Sequence, residues 1–78
     1  MNELSRILLT IKTVKEMNEF LRGLLTEGEL SELLMRLQIV KKLKSGLSQQ
    51  KIAKELGVGV ATVTRGSKEI QKGRFTQL

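Results

Sequence analysis

The sequence predicts an all-α fold, a small helical domain with a helix-turn-helix toward its C-terminal end. Three observations carry that prediction. Residues 2–25 contain no proline and no glycine before Gly23, and their apolar residues recur three and four apart, the spacing of one helix face. Thr26-Glu27-Gly28-Glu29 is a capping box, in which the threonine oxygen accepts from a free helical N–H while the glutamate reaches back to the threonine backbone. Leu47 to Gly66, LSQQKIAKELGVGVATVTRG, reads as two short helices around a tight turn.

Residues 2–25 are expected to be the dimerisation helices. Leu4, Ile7, Ile11, Val14, Leu21 and Leu25 form one seam, with Asn18 at the seam position between Val14 and Leu21. Leu8, Leu9, Met17, Phe20 and Leu24 widen the apolar surface beyond what a lone helix keeps dry. A break can fall at Thr10 to Thr13 or at Asn18. Residues 26–45 form a central helix with Leu30, Leu33, Leu34, Leu37, Val40 and Leu43 as its stripe and Arg36 off it. That helix closes on Lys41, Lys42 and Lys44, which suit the negative end of a helix dipole, and stops at Ser45-Gly46.

Residues 47–70 hold the helix-turn-helix. Ser48 caps its first helix; Ile52, Ala53 and Leu56 face inward; Gly57 takes the left-handed conformation that ends that helix. Val58 plugs the turn, Gly59 opens the second helix, and Val63 packs back toward Ile52 and Ala53. Residues 71–78 offer little to bury except Phe75, and are expected to fray or to be held only by Phe75 docking on the dimer. The whole of 1–78 is read as a single domain.

Seventy-eight residues bury a modest share of their surface, and such a chain is marginal alone unless metal, disulfides or a partner help it. With no cysteine and no histidine, disulfides and the usual zinc sites are excluded. A second copy is the remaining stabiliser, most simply in a twofold homodimer. No signal peptide is convincing and no run approaches the ~20 apolar residues of a membrane span, so a soluble, cytoplasmic protein is expected. The enzyme reading has little to stand on, since His, Cys and Tyr are all absent. No catalytic residue and no metal ligand is assigned.

Charge is divided along the chain. Residues 1–40 hold five Lys/Arg against six Asp/Glu, whereas residues 41–78 hold nine against two. A basic surface on a helix-turn-helix is the expected footprint of a double-stranded DNA binder. Geometry then assigns roles. The second motif helix would enter the major groove N-terminal end first, with Val60, Ala61 and Thr64 nearest the bases and Thr62, Ser67 and Lys68 toward phosphates. Val60 and Ala61 can touch a thymine methyl, and Thr64 can donate or accept. Ser48, Gln49, Gln50 and Lys51 open the first motif helix, where side chains and free N–H groups meet the DNA backbone and Gln50 can also reach a base. This set lacks a bidentate arginine, so base readout is modest or water-mediated. Each polar residue read alone is equally compatible with a solvated helix face.

The stretch from Leu24 to Ile70 resembles the Trp repressor family of tryptophan-dependent bacterial repressors. The most specific parts are the capped central helix with Arg36 and the string GVGVATVTRGS from Gly57 to Ser67. The resemblance implies an intertwined, all-helical dimer that binds palindromic operators when L-tryptophan is bound as corepressor. It implies that Arg36 and Arg65 flank the indole ring and hold the carboxylate, as a guanidinium can. It further implies that Gly66 gives the ring room, and that Leu25 and Thr26 of the partner subunit receive the ligand's polar end. Glu69 stands where the family's known members have a small hydroxyl residue near the ligand amine. A glutamate there can pair with the ammonium, fill the pocket, or neutralise Arg65 or Arg36. Without the resemblance, Arg36 reads as an ion pair with Glu32 or Glu29 and Arg65 as a phosphate contact. Two rival functions stand beside this one. The first is a ligand-independent DNA binder, either a regulator or a transposase-type module. The second is a small helical interaction domain whose basic half is incidental, for which little duplex affinity and no steep salt dependence are expected.

Overall fold

The computed structural model describes residues 2–78, and all regular structure in that range is helical: α1 (Asn2–Thr10), α2 (Val14–Leu24), α3 (Glu27–Lys44), α4 (Gln49–Leu56) and α5 (Val60–Gln71). The chain divides into two compact units, Met1–Ser31 and Glu32–Leu78.

In the first unit local side chains set the helix boundaries. The Thr10 hydroxyl donates to the Ile7 carbonyl at 2.6 Å as α1 ends. Three residues later Thr13 caps α2, its oxygen accepting from the Glu16 N–H at 3.1 Å. The stretch from 2 to 25 is therefore two helices, and the seam drawn through Leu4, Ile7, Ile11 and Val14 does not lie on one helix. Of the two candidate breaks, the one before Val14 is used; Asn18 lies inside α2 and is exposed. The capping box at Thr26 forms as expected, with the Thr26 N–H donating to Glu29 Oε1 at 2.9 Å and the Glu29 N–H donating to Thr26 Oγ1 at 3.1 Å. None of the described residues of this unit is buried. Glu3, Leu4, Ile7, Phe20 and Leu24 line an open, mostly apolar groove of about 440 Å³.

The second unit has the core. Ile39, Ile52, Ala53 and Val63 form it, with Met35, Leu43, Leu47, Leu56 and Val58 packed around them. Ile52 and Val63 are 0% exposed, and each such side chain contributes about 1.5–3 kcal/mol through its removal from water. The expected stripe on α3 needs correction here. Val40 is buried and Leu43 packs on the core, but the best buried residue of the helix is Ile39, outside that stripe, while Leu33, Leu34 and Leu37 remain exposed. With 3.6 residues per turn, Met35, Ile39 and Leu43 share one side and Leu30, Leu34 and Leu37 the opposite one. The α3 helix is apolar on both. A Lys42–Glu55 ion pair at 3.2 Å joins it to α4.

The chain after α5 turns back rather than fraying. Gly73, at φ +90°, allows its N–H to reach the Ile70 carbonyl and the Arg74 N–H to reach that of Glu69. Arg74 and Lys72 then pair with the Glu69 carboxylate, and the Lys44 ammonium donates to the Phe75 carbonyl. The tail is thus held within the chain by polar groups, with the Phe75 carbonyl taking the part expected of its ring. Among the described residues no helix is long and apolar enough to cross a membrane, and no group of potential metal ligands occurs.

Candidate nucleic-acid interface and ligand pocket

The site rests on the packing of α4 against α5. Ser48 adopts extended backbone and its hydroxyl oxygen accepts from the Lys51 N–H at 3.2 Å, which fixes where α4 starts. Gly57 ends α4 at φ 68°, ψ 34°, and the Val58 N–H closes the turn on the Ala53 carbonyl at 3.1 Å. A side chain at that φ would be strained, which is why glycine stands there. Gly59 caps α5 with no side-chain hydrogen bond. Ala53 is small where the two helices cross, and Ile52 and Val63 fill the space between them.

This packing leaves a defined surface. Val60, Ala61 and Thr62, at the start of α5, are exposed, as are Ser48, Gln50 and Lys51 at the start of α4 and Lys68 farther along. Ser67 and Gln49 are half-buried. Thr64 is also half-buried, and its hydroxyl meets Gln49 Oε1 at 2.6 Å and the Val60 carbonyl at 3.0 Å. The two residues assigned separately to bases and backbone are therefore one hydrogen-bonded pair. Sequence spacing gives no sign of this, because they lie fifteen residues apart on different helices.

The residues assigned to a ligand are placed differently. In the first unit, Leu25 is the half-buried C-cap of α2, and the Thr26 hydroxyl and N–H are both engaged in the capping box. In the second unit, Gly66 marks a close crossing of α5 over α3: a Cβ there would stand 3.2 Å from Ile39 Cγ2 and 3.5 Å from Leu43 Cδ1. The space beside Gly66 is thus taken by α3 side chains. Arg65 is its chain neighbour and Arg36 lies one turn before Ile39, so both belong to the segments that meet at this crossing. Both guanidinium groups are exposed, and among the described residues neither makes an ion pair. The expected alternative for Arg36, a pair with Glu32 or Glu29, is not formed. Glu69 pairs with neither arginine; Arg74 hydrogen-bonds its carboxyl and holds it below the ordinary glutamate value, with Lys72 adding to the effect.

A capped helix, a left-handed glycine turn and a second helix with an exposed N-terminal end define the helix-turn-helix class of DNA-binding regulators. Within that class the chain belongs to the Trp repressor family: the family model described as Trp repressor protein matches residues 1–76. A Trp operon repressor homolog of Vibrio vulnificus strain YJ016 is 42% identical over 71 residues, covering 82% of this chain and 70% of the relative. The homolog of strain CMCP6 of that species matches to the same extent, and one from Vibrio campbellii is 59% identical over 29 residues, 37% of this chain and 29% of that protein. No solved structure matches. The family is one of regulatory DNA-binding proteins, so the chain is a transcriptional repressor and not an enzyme.

Proposed function

We propose that this chain acts as an intertwined homodimer, a single domain over residues 1–78, which binds a palindromic double-stranded operator more tightly when L-tryptophan is bound. The observation that supports the DNA part is the exposed surface of Val60, Ala61 and Thr62 at the start of α5, beside the start of α4. In this reading Thr62, Ser67, Lys68, Ser48, Gln49, Gln50 and Lys51 face the backbone, and Val60 and Ala61 face the groove. The two unpaired arginines at the α3–α5 crossing support the ligand part. They fit the group: Arg36 and Arg65 are free to hold a carboxylate and to stack on an indole, with Leu25 and Thr26 of the partner subunit at its polar end. A ligand gripped by both helices would fix the tilt of α5, and so select the DNA-competent arrangement.

The chain has no Trp and no Tyr, so indole fluorescence reports the ligand alone. Titrating the protein into L-tryptophan should raise ligand anisotropy saturably, and only indole-bearing competitors should reverse it. Adding L-tryptophan should tighten operator binding, whose affinity should fall by orders of magnitude as salt rises. Arg65→Ala should abolish the ligand response. A second reading, a ligand-independent repressor, is favoured by one observation: Glu69 is engaged by Arg74 and the space at Gly66 is filled by Ile39 and Leu43. Flat anisotropy with intact, salt-dependent DNA binding would establish it.

A further inference from the structure

We infer that Thr64 is a positioning residue that acts on DNA through Gln49, holding the Gln49 carboxamide by its oxygen so that the Gln49 Nε2 is turned to donate to DNA. The inference deepens the DNA-binding half of the proposed function, rests on it, and is independent of any ligand.

The 2.6 Å contact between Thr64 and Gln49 is the length of an O–H···O bond and is shorter than the usual N–H···O range. The atom facing Thr64 is therefore the carboxamide oxygen. A threonine hydroxyl has one hydrogen, and the shorter bond takes it, leaving Val60 O at 3.0 Å as the weaker alternative. Both side chains are half-buried between the helices, which restricts the other rotamers of Gln49. With its oxygen committed, Gln49 presents the two N–H groups of its Nε2. Free glutamine pairs with adenine through both ends of its amide, accepting from N6 and donating to N7. In Gln49 one of the two lone pairs of that oxygen is taken by Thr64 and the oxygen is turned toward it, so the unengaged Nε2 is the group left to meet DNA. Its partner is an acceptor on the duplex, either a phosphate oxygen or the O6/N7 edge of guanine. Thr64 itself, turned toward Gln49, does not read a base, which revises the role assigned to it from sequence.

The experiment is a double-mutant cycle on the full chain, using the duplex that the wild-type protein selects from a randomised pool. Thr64→Val keeps the shape and removes the hydroxyl; Gln49→Ala removes the held amide; Thr64→Ser restores the donor. Each of the first two should weaken binding about three- to tenfold, the net value of one hydrogen bond. The double variant should be no weaker than Gln49→Ala, and Thr64→Ser should recover wild-type affinity. The Gln49 side-chain amide resonances, dispersed and ordered in the wild type, should average in Thr64→Val. A methylphosphonate linkage that erases the difference between wild type and Thr64→Val identifies a phosphate partner; 7-deazaguanine doing so identifies a base edge. Additive losses, or a Thr64→Val preference change that persists without Gln49, would overturn the inference while leaving DNA binding intact. A wild-type chain that selects no duplex would overturn the DNA reading itself.

Discussion

The two units of this chain are built from the same helical vocabulary and reach opposite ends in burial. In Glu32–Leu78, three helices surround Ile39, Ile52, Ala53 and Val63, and the best of these are wholly out of water. In Met1–Ser31, two well-capped helices present Leu9 at 84% exposure and Val14 at 78%, and no described residue is buried. Helix formation is a local matter, settled by caps and spacing. Core formation is not, because an amphipathic helix dries its apolar side only against another surface. The first unit is finished as secondary structure and unfinished as a hydrophobic object.

The contrast can be broken at its strongest point first. Ile52→Ala should destabilise the second unit by about 2–5 kcal/mol, much of a small domain's total stability, as measured by urea unfolding. In the proposed dimer Leu9→Ala should instead act through association, lowering the urea midpoint at high protein concentration and leaving it unchanged at concentrations too low for association. Equal, concentration-independent losses would remove the distinction. Gly66→Ala comes next: its methyl would meet the buried Ile39 Cγ2 at 3.2 Å, and overpacking of about 1–3 kcal/mol, set against the roughly 1 kcal/mol that alanine gains over glycine inside a helix, should leave a small fall in the thermal midpoint. Thr26→Ala removes the acceptor for the Glu29 N–H and should cost about 1 kcal/mol, seen as faster amide exchange at Glu29. The smallest effect is that of pH on the tail. Because the Arg74 hydrogen bond lowers the Glu69 pKa, the pair stabilises the fold above the unfolded glutamate value and is lost as pH falls through the folded one. Carboxyl NMR should place the Glu69 midpoint below 4.5, its ordinary value, and Arg74→Ala should move it back up.

Much of this was legible in the residues because it is local. The Thr26–Glu29 box, the Ser48 cap, the Gly57 turn and the Ile52–Val63 packing each follow from a few neighbouring side chains. The break before Val14 carried the same kind of signal: Thr13 and Glu16 have the Thr-x-x-Glu spacing of Thr26 and Glu29, obscured by the unbroken apolar periodicity around them. Other features were not legible, because they depend on which side of a helix meets which neighbour. Ile39 belongs to the core and Leu34 to the outside of one helix whose apolar residues cover both sides, and periodicity alone does not rank them. The Thr64–Gln49 bond, the Lys44–Phe75 contact and the capture of Glu69 by Arg74 join residues whose meeting is decided by the fold.

The α3 helix, apolar on two opposite sides, also bears on how such proteins diverge after gene duplication. Leu33, Leu34 and Leu37 face away from the core that carries α4 and α5, and Ile39, Val40 and Leu43 face into it. In the proposed dimer, changes on the outer side would alter which copies associate while the reading surface stays the same. In the same reading, changes on the inner side would re-tilt that surface without altering who pairs with whom. One helix thus lets two kinds of identity drift apart in descendants, and the 3.6-residue turn is what keeps them from being inherited as one.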